Sequence, residues 1–596
     1  MNRRQFVRTG VAGGLGLVAG GSRILNAQSA PTLQPFVDPL PVPVHLPHSN
    51  MYHITMNQVF AKLHRDLPPT PVWAYNGNFL GTVIEAFRGS PITVRWDNQL
   101  PSKHLLPEAL DFTIHGSTPD IPQVKTVVHL HGAKVLPQFD GFPEAWFTNA
   151  ATNVNPPNFR DYFYPNDQPA TNLWFHDHAI GTTRLNFYAG LIGDYFLRDN
   201  FELNSGLPMN PPFEVPLIIM DRYFKIGANN RFTGAMLYDT PTTPPPVFVN
   251  SDATPHHPVW ATELWADTAL VNGKVYPYLN VEPRVYRFRT LNACNARFLN
   301  LTLYDENTKR NIPFFLIGTD QGFLPRPVML TSLLKANAER HDILVDFEDL
   351  EGHTITMMND APAPYPDGGG GPDLPQIMQF RVVDDLSGKT ISIPGSLVAA
   401  TTISGLATVS AVKTRDVALD EIEDTEMDEL RDPNFGPDPP QFEGANETGS
   451  PVLGMLELKH WAAPTSILPA VGSTEIWRFI NATPDTHPIH VHLVEFQVLD
   501  RQQFNVDEYK ATRVVSFIDP ATGLPFPVQP PDATELGAPK DVVRAEKAMV
   551  TRIKMTFNLP TGTVTMPNQQ FKYVVHCHIL EHEDNEMMRP FAAVAT

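Results

Sequence analysis

The sequence predicts an all-β protein built from several β-sandwiches, and three observations carry that reading. The chain has 596 residues, enough for three or four domains of ordinary size. It contains 59 prolines and 37 glycines, which leaves little room for long helices. Its apolar runs are short and bounded by Pro, Gly, Asn and Asp, as strands between turns are. Residues 91–96, 215–220, 285–289 and 475–480 are such runs.

Three of these runs resemble one another. Ile92-Thr93-Val94-Arg95-Trp96 leads into Asn98, Tyr286-Arg287-Phe288 into Asn292, and Trp477-Arg478-Phe479 into Asn481. A strand-then-Asn unit repeated three times predicts three related sandwiches. The first is expected over 31–200, with the Pro-rich stretch 207–212 leading into the second, over 201–385. A Ser/Gly/Thr-rich linker follows over 386–410, and the third sandwich spans 411–596. Residues 361–372, with four consecutive glycines, predict a flexible surface loop. Residues 416–440 are strongly acidic and predict a solvated segment.

Composition narrows the class of function. A hydrophobic content of 42% is ordinary for a soluble globular protein. The net charge of −20 argues against a nucleic-acid surface and against binding to anionic membranes. There are only two cysteines, Cys294 and Cys577. If Cys577 holds a metal, no intrachain disulfide is left, and Cys294 reads as a small buried hydrophobe. Residues 1–30 open with Arg3-Arg4 ahead of a mild, Gly-rich apolar run and small residues near Ala27 and Ala30. That pattern is expected of a twin-arginine signal peptide, read by the twin-arginine export machinery; it is too short and Gly-rich to span a bilayer. No other segment has the length and hydropathy of a membrane span, so no membrane insertion is expected.

The chemistry gathers in four short clusters. They are His129-Leu130-His131-Gly132, Trp174-Phe175-His176-Asp177-His178, His487-Pro488-Ile489-His490-Val491-His492, and the run from His576-Cys577-His578 through His582 to Met587. Ten of the 21 histidines lie in them; the other eleven are scattered and read as surface or satisfied core residues. Residues 571–575 read as a strand. Continued through 576–578, it points His576 and His578 to one face and Cys577 to the other. Such a strand suits two metal centres joined through one cysteine. Two His, one Cys and a weak axial Met form the blue-copper electron-transfer set. Imidazole suits copper, and two histidines cannot saturate one ion, so clusters from separate domains must converge.

Four such clusters in this order resemble the multicopper oxidases. The flanking text, Asp140-Gly141-Phe142-Pro143-Glu144-Ala145-Trp146, Thr183-Arg184-Leu185-Asn186 and Val271-Asn272-Gly273-Lys274, is similar to the bacterial spore-coat laccase group. The resemblance implies three tandem cupredoxin-like Greek-key domains and four copper ions. It assigns His487, Cys577, His582 and Met587 to one type 1 copper, and His129 and His490 to one type 2 copper. It assigns His131, His176, His178, His492, His576 and His578 to two type 3 coppers. The trinuclear group then lies between the first and third domains, and the second contributes no ligand but forms part of the substrate wall.

By the same resemblance, Cys577 carries electrons, and Glu583 and Asp140 relay protons to dioxygen. Asp177 is expected to face away from the metal as a structural partner. The implied reaction is one-electron oxidation of phenols or aromatic amines coupled to reduction of O2 to water by a monomer, periplasmic or extracellular. Met587 in place of Leu or Phe predicts a low-to-moderate potential. Bilirubin, aminophenol and cuprous-ion oxidation remain open, although no Met-rich insertion is present. A non-enzymatic copper-binding or structural role for an exported protein is the contrasting class.

Overall fold

The computed structural model describes residues 31–596 except 113, 150–157, 210, 239–247, 250–254, 257–262, 385–390, 398–405, 407, 422–453, 457–460 and 462. The twin-arginine region, most of the acidic stretch, part of the 386–410 linker, and His257 and His460 therefore lie outside the described residues.

Strands dominate, and they form three two-sheet sandwiches with a shared plan. In each, the repeated strand is central to one sheet. Ile92–Asn98 runs parallel to Met51–Ala61 and antiparallel to Phe159–Tyr164. Val285–Asn292 runs parallel to Glu214–Ile226 and antiparallel to Arg340–Asp346. Thr474–Asn481 runs parallel to Lys413–Glu421 and antiparallel to Met549–Thr556.

The asparagine ending each strand does the same job three times. Its Oδ1 accepts from the backbone N–H two residues on: Leu100, Cys294 and Thr483, at 3.1, 3.1 and 2.9 Å. Its amide then donates to distant partners. Asn98 bonds Thr126 Oγ1 at 3.0 Å, Asn292 bonds Lys335 O at 3.1 Å, and Asn481 bonds Ala545 O at 2.8 Å. Each closes an Asx-turn and ties it to a neighbouring segment.

The second sheets carry the chemistry. In the first sandwich, Thr82–Phe87 pairs parallel with Ile192–Arg198, followed by Thr171–Asp177 and then Val128–His131. In the third, Met588–Val594 is followed by Gln570–Cys577 and His487–Val491. The corresponding strands of the second sandwich are Gln376–Val382, Thr354–Asn359 and Leu299–Asp305. They contain no histidine. Leu301, Leu303 and Ile355 from these strands fill its core, as Val128, Leu130, Leu173 and Phe175 fill that of the first. Each sandwich has its own apolar core. A fourth cluster joins all three, with Trp174 of the first, Ile218, Met220 and Leu291 of the second, and Val542 and Leu580 of the third.

Two sequence expectations need correction. Residues 361–372 lie at the surface, with Pro366, Asp367, Gly369 and Gly370 exposed, but hydrogen bonds tie the loop down. Gly370 N and Gly371 N both donate to Ala363 O at 3.0 Å, and Arg297 donates to Pro372 O at 2.8 Å. A Cβ added at Gly371 would lie 2.6 Å from a Trp265 side-chain atom, so the glycines let the chain run against the indole. The start of the acidic stretch is not a solvated segment either: Asp416 to Glu421 belong to the strand Lys413–Glu421. Its register with Thr474–Asn481 sets Asp416 beside Arg478, and Val417 and Leu419 enter the core. Cys294 is buried, as expected, in the second core.

Asn481→Ala removes the acceptor of Thr483 N and the donors to Asp485 O and Ala545 O. Each buried group left unpaired costs about 1–3 kcal/mol. Denaturant unfolding is expected to register a loss of at least about 2 kcal/mol; a loss below about 0.5 kcal/mol would contradict this role.

Candidate metal centre

The pleat of the strand Gln570–Cys577 organises the site. Phe571, Tyr573, Val575 and Cys577 face the third core, while Val574 belongs to a separate apolar cluster on the other face. His576 shares Val574's face. It sits opposite His490 in the ladder, and Ile489 sits opposite Cys577. In the first sandwich His129 is likewise opposite His176. Two short helices hold these surfaces together: Asp584, on Leu580–Asp584, accepts from Thr183 N at 3.1 Å and Arg184 N at 2.9 Å, at the start of Thr183–Ala189.

The two surfaces meet in a shell of eight fully buried imidazoles. Most are anchored through Nδ1, with Nε2 turned inward. His129 Nδ1 meets Asp140 O at 2.5 Å, and His176 Nδ1 meets Asp177 O at 2.8 Å. His490 Nδ1 meets Asp541 O at 2.8 Å, His492 Nδ1 meets Asp140 Oδ2 at 2.7 Å, and His576 Nδ1 meets Cys577 O at 3.0 Å. Inward, Nε2 atoms approach one another: His129 and His490 at 3.4 Å, His178 and His576 at 3.3 Å, His492 and His576 at 3.2 Å. His131 is turned the other way, with Nε2 3.2 Å from Asp541 and a buried, unpartnered Nδ1. His176 Nε2 and His578 Nε2 are also buried without a hydrogen-bond partner.

Burial pushes every one of these imidazoles below its ordinary range, His178 and His576 to about 4, so they stand neutral. Neutral rings with facing lone pairs, most of them oriented by a carbonyl or carboxylate behind, are the donor set of a metal cluster. Three groups drawn from this shell, His129/His131/His176, His129/His490/His492 and His178/His492/His576, bring their ligand atoms within 4.8 Å of one another.

On the opposite face of the strand lies a second centre. Cys577 Sγ is 3.6 Å from His487 Nδ1 and 3.9 Å from His582 Nδ1, and the two Nδ1 atoms are 3.3 Å apart. A point equidistant from the three lies about 2 Å from each, the length of a metal–nitrogen or metal–sulfur bond. Met587 is fully buried in the same cluster as Cys577, and its carbonyl accepts from Cys577 N at 2.9 Å. Met588 packs instead with Ile180, Trp461 and Val574. Ile579 N donates to Cys577 Sγ at 3.4 Å, a contact that tunes the sulfur.

The remaining predicted residues are also placed. Glu583 is buried, 3.2 Å from His576 Nδ1 and 3.6 Å from His178 Nε2, and burial raises its carboxyl to about 8. Burial also raises Asp140, which spans His129 and His492. Asp177 faces away from the cluster, accepting from Val127 N, Ala179 N and Asn186. Of the scattered histidines, His104 pairs with Asn186, His341 with Lys335 and His353 with Asp305. Sequence reasoning missed Asp541, which touches His131 and His490. It lies in no motif; only its place before Val542, the ladder partner of His490, brings it there.

Fold and site together define a three-domain cupredoxin oxidase with one cysteine-containing copper centre and one all-histidine copper cluster. Residues 441–595 match a family model described as multicopper oxidase. The chain is 40% identical over 573 residues to a laccase of Bacillus subtilis (strain 168), covering 94% of this chain and 98% of that one. It is 33% identical to a laccase of Haloferax volcanii, covering 99% and 90%. A solved multicopper oxidase of Aquifex aeolicus shares the fold, with a TM-score of 0.66 at 22% identity over 95% of this chain and all of the other. The chain belongs to the multicopper oxidases and is laccase-like.

Proposed function

We propose that this oxidase takes electrons singly from small electron-rich aromatics, phenols or aromatic amines, and passes them to dioxygen. The observation that carries the reading is the two-faced strand. Cys577, with His487, His582 and Met587, would hold the type 1 copper on one side. His576 and His578, its covalent neighbours, face the cluster on the other. There His129 and His490 would hold the type 2 copper, and His131, His176, His178, His492, His576 and His578 the type 3 pair. Bound copper supplies one-electron redox chemistry, and four ions hold the electrons that dioxygen needs to become two waters.

The protein's own groups supply the rest. Cys577 gives a covalent route from its sulfur to both adjacent histidines. The second sandwich walls the His582 edge: Glu263 lies 3.8 Å from His582 Nε2, and Trp265 packs on the third core. Burial of Glu583 and Asp140 beside cluster histidines suits them to hold and release protons there. Arg3-Arg4 supports export by the twin-arginine pathway to a periplasmic or extracellular site, where the protein would act as a monomer.

Oxygen uptake by the copper-loaded protein, with a phenol, bilirubin and cuprous ion supplied separately, tests the substrate class. Uptake with the organic donors, abolished by Cys577→Ser, is expected; uptake with cuprous ion alone would replace this reading by a metal oxidase. Glu583→Gln is expected to slow reoxidation by dioxygen about 100-fold or more. Anaerobic bleaching of the thiolate band by donor should be unchanged in stopped flow, and equal slowing of both phases would remove the relay role. Replacing Arg3 and Arg4 by Lys should leave the protein in the cytoplasm on fractionation; unaltered export would exclude the twin-arginine route.

A further inference from the structure

The second sandwich donates no histidine, yet one of its side chains reaches the cluster. Arg340 opens the strand Arg340–Asp346 and is fully buried. All five of its N–H groups are engaged. Nε donates to Asn172 O at 3.1 Å, on the strand that carries His176. Nη1 donates to Ala338 O at 3.0 Å and Asp541 Oδ1 at 2.7 Å. Nη2 donates to Asp320 O at 3.0 Å and to Asp541 Oδ2. A single guanidinium therefore binds all three sandwiches at one point.

What it grips is the group behind two cluster histidines. Asp541 Oδ1 is 3.2 Å from His131 Nε2, and its carbonyl accepts from His490 Nδ1 at 2.8 Å. Gln321, also of the second sandwich, donates to Asp541 Oδ2 at 2.5 Å and to Gly132 O at 2.8 Å, beside His131. Asp320 accepts from Asp541 N and Val542 N at 3.4 and 3.3 Å. The packing leaves no slack. A Cβ at Gly132 would lie 2.7 Å from Gln321 Nε2 and 2.8 Å from Arg340 Nη2. The bidentate fork matters because a planar guanidinium fixes both carboxylate oxygens, and an ammonium fixes a point.

We propose that Arg340, with Gln321, is a positioning residue for the histidine cluster. By fixing Asp541 it sets which nitrogens of His131 and His490 face inward, and so how firmly the cluster holds copper. The inference rests on the assignment of His131 and His490 as copper ligands. It gives the ligand-free second sandwich a direct part in the oxygen-reducing centre.

The test uses the full copper-loaded chain and its Arg340→Lys and Gln321→Leu variants. Each is titrated with a copper chelator while copper per chain, the thiolate band of the Cys577 centre and the paramagnetic signal of the non-blue copper are followed. Both variants are expected to release cluster copper at about 10- to 100-fold lower chelator concentration, with an altered non-blue signal. The thiolate band should persist, since His487, Cys577 and His582 make none of these contacts. Unaltered release and signal in both variants overturn the proposal. So does joint loss of the thiolate band and cluster copper in both, which assigns Arg340 and Gln321 a general structural role. Wild-type protein that binds copper only at the Cys577 centre overturns the ligand assignment itself, and is read before any variant is compared.

Discussion

Eight neutral imidazoles packed into one buried shell are the constraint on which the rest depends. The Nε2 lone pairs of five of them face one another at 3.2–3.4 Å, a repulsive arrangement that protonation would normally relieve. Burial blocks that escape by disfavouring the charged form. Five of the rings hold their places because the outer Nδ1 is anchored: to carbonyls at Asp140, Asp177, Cys577 and Asp541, and to the Asp140 carboxylate. The backbone thus carries much of the orienting work. A strained, unsaturated donor shell is what metal binding relieves, and binding in turn joins the surfaces that form it.

That shell exists only between two sandwiches, so everything that docks them serves it. Asp584 caps the helix of the first sandwich from the helix of the third, and Tyr573 OH reaches across to Val135 O at 2.8 Å. The second sandwich completes the grip from the side, through the cluster around Trp174, Met220 and Leu580. Buried charge at such a junction adds little net stability over an apolar contact, but it dictates one geometry. A centre that must place ten histidines needs that specificity.

Local periodicity made much of this legible in the sequence. The His-x-His spacing implies two rings on one face of a strand; Val128–His131 holds both of its pair, while Thr171–Asp177, His487–Val491 and Gln570–Cys577 end one residue before His178, His492 and His578. The strand-then-Asn repeat was also visible, though not the Asx-turn behind it. What escaped depends on partners far along the chain. Asp541 and Arg340 sit in no motif and meet only after three sandwiches assemble. The Gly-rich run 368–371 looks like flexible chain until Trp265, more than 90 residues earlier, is packed against it. The choice between Met587 and Met588 follows from alternation in the final strand, which turns Met588 towards Trp461.

The three buried asparagines have a wider implication. The same turn is built at Asn98, Asn292 and Asn481, yet only the outer two sandwiches carry histidines on their second sheets. The framework and the chemistry are therefore separate inheritances. A sandwich can keep its architecture, with leucines filling its core as Val128 and Leu130 fill that of the first, while its outer face carries no imidazole, and be retained for what it supports. By the same logic, the middle unit offers an engineer a vacant but correctly built strand pair, onto which a further ligand set could be written without redesigning the fold.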